Sequence, residues 1–294
     1  MLNEQVQAYL EKHYITLVGT FSRLKMVDPW FDALTDLDLP RDRVILYIYN
    51  NTGEKDLDFA IKERLRVIES NYHSVKYHQS FRRGGSTILG QNNNNFFKSK
   101  LMPIWEMWKD IKEQIDTEIF MLIEDDTRVP PHSFDYLLND LFSLPSAGFV
   151  SGVETGRVAY PWQKVGLGVH YLKRDGNKLI QTDNLDPDSE GVKECDATGH
   201  YCFMTYTHLY KQAFKDMDEW VHTLTFFGMD LMLINHIQML GYKIYADFNV
   251  WCDHLHMMDG RLYPFNKKNA TKLGAIWIPE FKNYAIGIQI NDSS

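Results

Sequence analysis

The 294-residue sequence predicts an α/β fold in which helices cover both faces of a mostly parallel sheet. Two short runs, YITLVGTF at 14–21 and RVILYIYNN at 43–51, are rich in β-branched and aromatic residues, as strands buried on both faces are. A third strand is predicted in TEIFMLIEDD at 117–126. Segments with helical spacing separate these runs, and repeated strand–helix alternation favours parallel strands.

Four segments before residue 150 predict helices, because their apolar residues recur every three or four positions. They are 28–40, with Trp30, Leu34 and Leu37; 56–72, with Leu57, Ile61, Leu65 and Ile68; a stripe of Phe97, Leu101, Ile104, Trp108, Ile111 and Ile115; and 133–144. The regular part of the third helix should begin near Pro103, since proline disrupts a helix interior but suits its first turn.

Composition changes near residue 150 toward glycine, aspartate and scattered aromatic residues, which predicts hairpins and long loops over an acceptor face. We interpret the chain as one continuous domain with two halves, 1–150 and 151–294. Within the second half, a helix is predicted with Asp230 in its first turn and Gly241 as its stop signal. A strand that ends near His254 should follow it.

Composition disfavours several classes of protein. The net charge of −8 argues against broad non-specific binding to nucleic acid or anionic membranes. No apolar run approaches the roughly 20 residues of a membrane helix. The N-terminal MLNEQVQAYLEKHY fits neither a signal nor a transit peptide, so a cytoplasmic location is expected. The three cysteines are Cys195, Cys202 and Cys252, and we expect buried thiols.

Three consecutive acids, Glu124, Asp125 and Asp126, follow the third strand, where parallel sheets bind ligands. Like charges repel, so a divalent cation among them would stabilise the cluster, and oxygen ligands favour Mg²⁺ or Mn²⁺. In a strand, Glu124 and Asp126 would project to one side and converge on one ion. The alternative is a solvated turn that caps the next helix. Removing one of several repelling acids should not cost stability.

Two downstream residues extend this hypothesis. Asp230 is a candidate base for an incoming hydroxyl, although an acid at a helix start is often only a favourable dipole partner. His254, with His256 as the fallback, is a candidate ligand to the same ion, although a lone histidine is more often an ordinary surface or core residue. Together with the acids they provide what metal-assisted substitution at a sugar carbon needs.

The sequence resembles the nucleotide-sugar-dependent GT-A glycosyltransferases, particularly glycosyltransferase family 2, over nearly its whole length. The motifs are YITLVGTFSR, RVILYIYNNTGEKD, FMLIEDDTRVPP as the D-x-D motif with its trailing proline, CDATGHYCFMTYTHLYKQAF, and FFGMDLMLINHIQMLGYKIYADFNVWCDH. The sequence departs from the family's pattern at Glu124, the first acid of D-x-D, and at Met229, where many members have glutamate. The turn at Asn50 and Asn51 also lacks the usual aspartate.

The resemblance implies a Rossmann-like GT-A fold, a nucleotide-sugar-binding half at 1–150 and an acceptor-binding, catalytic half at 151–294. It implies that Asp230 is the catalytic base and that Mn²⁺ or Mg²⁺ is held by Glu124, Asp126 and His254. Donor-binding candidates are Thr20, Asn50, Asn51, Arg82, Arg83, Lys100 and Asp125; acceptor candidates are Trp162, His200 and Tyr201.

The expected activity is metal-dependent transfer of a hexosyl or related sugar from a nucleoside diphosphate, with UDP favoured, to a hydroxyl acceptor with inversion. A glycan or another hydroxyl compound is the expected acceptor, and a modified DNA base is a less favoured one. Two alternatives stay open. One is a non-catalytic nucleotide-sugar-binding module, which Met229 favours, and the other is a nucleotidyltransferase.

Overall fold

The computed structural model describes residues 2–80, 102–155, 167–175, 178–184, 186–218, 229–258, 261–265 and 284–288. Its main feature is an eight-stranded sheet, whose strands are numbered here in chain order. In sheet order they are β3 (Ser74–Gln79), β2 (Val44–Asn50), β1 (Ile15–Phe21), β4 (Ile119–Glu124), β11 (Cys202–Tyr206), β6 (Ala147–Val153), β12 (Lys243–Trp251) and β9 (Val192–Cys195). All except β11 and β9 run in one direction.

Two smaller sheets accompany the main one. The first joins β10 (Ala197–Thr198), β7 (Val169–Asp175), β8 (Lys178–Asn184) and β15 (Tyr284–Ile288). The second joins β14 (Arg261–Phe265), β13 (Asp253–Met258) and β5 (Thr127–Arg128). The antiparallel pair of β7 and β8 is the kind of hairpin that the turn residues after position 150 predict.

Seven α-helices are described. They are α1 (Glu4–Leu10), α2 (Val27–Asp36), α3 (Lys55–Ile68), α4 (Met102–Glu113), α5 (Ser133–Ser143), α6 (Thr207–Asp218) and α7 (Met229–Met239). Short 3₁₀ turns occur at Leu24–Met26, Arg41–Arg43 and Glu69–Asn71. No helix within these described stretches is long and apolar enough to cross a membrane.

Alternation along the central strand β4 explains why helices cover both faces of the sheet. Phe120 and Leu122 pack into the core that includes residues of α4, α6 and α7. Met121 and Ile123, which point the other way, pack into the core that includes residues of α1, α2, α3 and α5. The predicted fold class, a mostly parallel sheet with helices on both faces, is confirmed.

The strand β6 crosses position 150 and lies in the main sheet, in a region whose composition predicts loops and hairpins. Its sequence, AGFVSGV, contains two glycines and lacks the pattern of the earlier strands. A Cβ atom at Gly152 would lie 2.8 Å from the Val250 carbonyl oxygen, so close packing against the chain from β12 requires glycine there. Glycine is unfavourable in a strand interior, so the residue that close packing requires makes β6 harder to predict from sequence.

Candidate active site

The polar ends of four strands form one edge of the main sheet. Residue pairing aligns Thr20 of β1 with Tyr49 of β2 on one side and with Glu124 of β4 on the other. Because these strands are parallel, the residues that follow them, 22–23, 51–52 and 125–126, meet at this edge. Residues 154–155, after β6, lie at the same end of the sheet. The antiparallel β11 begins there, which brings in residues 200–201.

Asp125 and Asp126 are almost completely buried and share one cation, the guanidinium of Arg23. Arg23 Nε donates to Asp125 Oδ2 at 3.2 Å, Nη2 contacts Asp125 Oδ1, and Nη1 lies 2.7 Å from Asp126 Oδ2. The Ser22 backbone N–H also donates to Asp125 Oδ2, at 2.9 Å. The side chain of Arg23 is 32% exposed, so the two acids are buried beneath a cation that solvent reaches.

The small sheet of β5, β13 and β14 places His254 beside Asp126. His254 pairs with Thr127 across β5 and β13, and the Leu255 N–H donates to the Asp126 carbonyl at 2.7 Å. His254 Nε2 consequently lies 3.3 Å from Asp126 Oδ2, although 128 positions separate the two residues. The structure thus brings together two of the three residues predicted to hold a metal ion.

Glu154 orients the imidazole of His254 from the opposite side. His254 Nδ1 lies 2.8 Å from the Thr155 carbonyl oxygen and 3.0 Å from Glu154 Oε1, while Thr127 Oγ1 donates to Glu154 Oε2 at 2.7 Å. Burial opposes the imidazolium charge, but Glu154 and then Asp126 outweigh it and raise the pKa of His254 to about 10. The carboxylates on both sides fix the ring so that Nε2 faces Asp126.

The Asp126–His254 pair has suitable spacing for a divalent ion. Two ligand atoms about 2.1 Å from one ion lie roughly 3.0–3.4 Å apart at angles between about 90° and 109°, and the observed nitrogen–oxygen separation is 3.3 Å. Carboxylate oxygen and imidazole nitrogen both suit Mn²⁺. Among the described residues, no three His, Cys, Asp or Glu side chains are grouped to hold an ion, so the predicted triad with Glu124 is not assembled here.

Strand geometry explains the difference at Glu124. β4 ends at this residue, and Asp125 and Asp126 form a turn before β5, so strand alternation does not extend across the three acids. The Glu124 N–H donates instead to the Tyr201 carbonyl at 2.9 Å, next to the segment 199–200. Burial, followed by the charges of Glu124 and Asp230, raises the pKa of the Tyr210 hydroxyl well above its usual value. The charges of the predicted base and the first acid thus act on one buried hydroxyl.

His200 is fully buried in this same region. Its ring lies 4.1 Å from the ring of Trp108 and 5.7 Å from that of Tyr210, centroid to centroid. Burial lowers the pKa of His200 to about 3, so its imidazole is neutral. Neither ring nitrogen has a hydrogen-bond partner within the part of the chain that the structure describes. The neighbouring Gly199 approaches Asp230, whose Oδ2 would lie 3.6 Å from a Cβ atom at that glycine.

The predicted donor-binding residues Asn50 and Asn51 differ in the hydrogen bonds that their side chains make within the protein. Asn50 is fully buried, and its side chain donates to Tyr77 Oη at 3.1 Å and accepts from the Thr52 N–H at 3.0 Å. Asn51 Nδ2 makes only a 3.5 Å contact with Met107 Sδ, and Asn51 Oδ1 is buried without a donor among the described residues. Asn51 is therefore the better placed of the two to accept a hydrogen bond from a ligand.

The remaining predicted residues differ in their surroundings. Thr20 is buried in β1, beside Glu124. Tyr201 is buried, and its hydroxyl lies 3.1 Å and 3.3 Å from the carbonyls of Gly152 and Gly168. This hydroxyl therefore bonds to the protein backbone and is not free to bind an acceptor substrate. The ring of His256 lies tilted beside that of His254, with ring centroids 4.3 Å apart. Arg82, Arg83, Lys100 and Trp162 lie outside the described residues.

Sequence reasoning missed roles for Arg23 and Glu154. Each lies just beyond a strand of the main sheet, and applying the strand-end rule to the predicted strand β1 identifies Arg23. Arg23 lay within a recognised strand motif but received no role. Glu154 was missed because β6 itself was not predicted.

No protein-family model and no curated protein matches the sequence. Among solved structures, GalNAc-T7 with UDP, GalNAc and Mn²⁺ is similar with a TM-score of 0.56 and 10% identity, over 84% of this chain and 45% of that one. Mannosyltransferase PcManGT from Pyrobaculum calidifontis, in complex with GDP-Man and Mn²⁺, matches with a TM-score of 0.48 and 14% identity, over 83% and 60%. The chain spans less than two thirds of either protein. The likeness to GalNAc-T7 shows the fold, which is of the GT-A glycosyltransferase type.

Proposed function

We propose that this protein transfers a sugar from a nucleoside diphosphate sugar, with UDP as the favoured nucleotide, to a hydroxyl acceptor in a metal-dependent reaction with inversion. The observation that carries the proposal is the 3.3 Å approach of His254 Nε2 to Asp126 Oδ2 at the ligand-binding edge of a GT-A-type sheet. A structural turn that only capped the next helix would not need a histidine brought from 128 positions away and held by Glu154.

In this proposal Asp126 and His254 hold the divalent ion, Mn²⁺ or Mg²⁺, and the His254 imidazolium gives up its Nε2 proton when the ion binds. Glu124 and Asp125 contribute charge or contacts at its margin. A bound ion of this kind would neutralise charge that develops on the departing diphosphate. Asn51 Oδ1, which is buried without a donor among the described residues, would accept a hydrogen bond from the donor. The structures of GalNAc-T7 and PcManGT contain nucleotides or nucleotide sugars and Mn²⁺, which is consistent with this assignment.

Asp230 is proposed as the general base. It lies in the first turn of α7, and its Oδ2 approaches Gly199, two residues before the Tyr201 carbonyl that accepts from the Glu124 N–H at 2.9 Å. There its carboxylate would accept the proton of the acceptor hydroxyl while the bond from the sugar to the diphosphate breaks. The neutral, buried imidazole of His200 adds a polar group without a competing positive charge. The acceptor is proposed to be a glycan or another hydroxyl compound.

Incubation with a panel of nucleotide sugars and Mn²⁺ tests the proposal. Slow transfer to water should release the nucleoside diphosphate from the correct donor, and chelation of Mn²⁺ should stop the release. Asp230→Asn should lower the rate by about 10²–10⁴ and leave donor affinity near its original value, because the substitution removes basicity but keeps shape.

The outcomes separate the proposal from its rivals. Release of pyrophosphate from a nucleoside triphosphate would favour a nucleotidyltransferase. Binding of a nucleotide sugar without turnover, even with a panel of hydroxyl acceptors, would favour a non-catalytic module. Near-normal turnover of Asp230→Asn would place the base elsewhere.

A further inference from the structure

Arg23 places its positive charge beside Asp125 and Asp126, where a bound metal ion would also place its charge. Its guanidinium contacts both Asp125 and Asp126, with Nη1 2.7 Å from Asp126 Oδ2. This is the same oxygen that lies 3.3 Å from His254 Nε2. The two aspartates are 3% and 1% exposed, so solvent can stabilise their negative charges only weakly. In this arrangement the guanidinium of Arg23 compensates those charges.

A divalent ion on Asp126 Oδ2 would meet the guanidinium at short range. Both are cations, and both would draw on the same carboxylate oxygen, which sits in a site of low solvent exposure where charges interact strongly. Arg23 can leave without a large rearrangement of the backbone. It lies two residues beyond the end of β1, it caps a short 3₁₀ turn at Leu24–Met26 in an extended conformation, and its side chain already reaches solvent.

We propose that Arg23 is a displaceable counter-ion: it neutralises Asp125 and Asp126 in the metal-free protein and withdraws from Asp126 when a divalent cation binds. A second step of the proposal rests on the proposed function. Once released from Asp126, the guanidinium remains at the edge of the sheet that would receive the donor, where it would contact the diphosphate. Its planar array of N–H donors suits phosphate oxygens. Arg23 would then be a positioning residue that couples metal binding to donor binding.

Titration with Mn²⁺ alone tests the first step, with free Mn²⁺ followed by electron paramagnetic resonance. Arg23→Gln removes the competing charge, so we expect Mn²⁺ to bind at least about tenfold more tightly than to the wild-type protein. Arg23→Lys keeps a point charge but loses the fork geometry, and its affinity should lie between the two. Unchanged or weaker Mn²⁺ binding by Arg23→Gln would overturn the proposal, as would absence of Mn²⁺ binding by all three proteins.

Arg64→Gln is the matched control. Arg64 also bridges two aspartates, Asp28 and Asp32, but both are on the surface, with side chains 80% and 68% exposed. Its Mn²⁺ affinity should equal that of the wild-type protein. An equal gain in Arg64→Gln and Arg23→Gln would indicate a general charge effect and would also overturn the proposal.

Titration with UDP at saturating Mn²⁺ tests the second step. Arg23→Gln should bind UDP about tenfold or more weakly although it binds Mn²⁺ more tightly, a divergence that a purely structural role would not produce. Equal UDP affinity would overturn this step. The Mn²⁺ titration uses no sugar donor, so tighter Mn²⁺ binding by Arg23→Gln would stand even if no nucleotide sugar were cleaved.

Discussion

Asp126→Ala should destabilise the protein, contrary to the expectation that one of three repelling acids is dispensable for folding. The structure pairs Asp126 with Arg23 at 2.7 Å and with His254 at 3.3 Å, and the Asp126 side chain is 2% exposed. Removing one partner of a buried ion pair costs about 3–5 kcal/mol. Arg23 keeps Asp125 and is one third exposed, and His254 keeps Glu154, so we expect a smaller loss of about 2–3 kcal/mol.

Chemical denaturation followed by circular dichroism measures this loss directly. For a chain of this length, the same change corresponds to a fall in melting temperature of about 3–5 °C. Asp28→Ala is the control, because Asp28 pairs with Arg64 at 3.1 Å but is 80% exposed, and its removal should cost less than about 1 kcal/mol.

A double mutant identifies the source of the loss. If Asp126→Ala destabilises by leaving the His254 imidazolium short of negative charge, then adding His254→Gln should recover part of the loss, with a coupling of about 1–2 kcal/mol. A variant Asp126→Ala as stable as the wild-type protein, or strict additivity with His254→Gln, would refute this reasoning and support simple repulsion among the acids.

Two further predictions concern pH and packing. Burial, and then the charge of Asp247, raises the pKa of Asp140 to about 7. The Asp140 carboxyl therefore keeps its proton in the folded state up to about pH 7, whereas in the unfolded chain it loses the proton near pH 4. The protonated Asp140 carboxyl consequently contributes its full stability below about pH 4, and this contribution to the free energy of unfolding is lost as pH rises to about 7. Asp140→Asn should remove this pH dependence of stability and raise the free energy of unfolding by about 1–2 kcal/mol at pH 8, but not at pH 4; the partial exposure of Asp140 keeps the figure small. Denaturant titrations at the two pH values measure the difference, and equal effects at both would contradict the prediction. Gly199→Ala should cost about 1–3 kcal/mol, because the added Cβ would lie 2.8 Å from Cδ1 of the buried Tyr201 ring; an unchanged unfolding midpoint would show that the ring moves aside freely.

Local sequence patterns were sufficient for three strands and four helices of the first half, but α1, β3 and β6 were not predicted. The runs at β1, β2 and β4 are continuous and apolar because both of their faces are buried, and the stripes of α2 and α3 match the positions that pack into the core. The stop signal at Gly241 also predicted a real feature, since this residue has a φ of +92° just beyond α7. Such features depend on neighbours in the sequence, which is why one sequence reveals them.

The edge of the sheet that carries the site was also predictable from sequence. Parallel strands end on one side, so Asn51 and the acids at 124–126 had to meet once the strands were identified. His254 was a candidate ligand from its position after a predicted strand, and the structure places His254 beside Asp126.

The pairing of charges within the site was decided only by tertiary structure. Sequence alternation predicted that Glu124 and Asp126 share one ion, but the strand ends at Glu124, and Arg23 joins Asp125 to Asp126 instead. Glu154 reaches His254 because β6 and β13 meet there, and no local pattern marks that contact. Local sequence patterns indicate which residues carry charge and at which edge of the sheet they lie. Which charges neutralise one another depends on distances between strands far apart in the chain, and these are set by how the whole sheet packs.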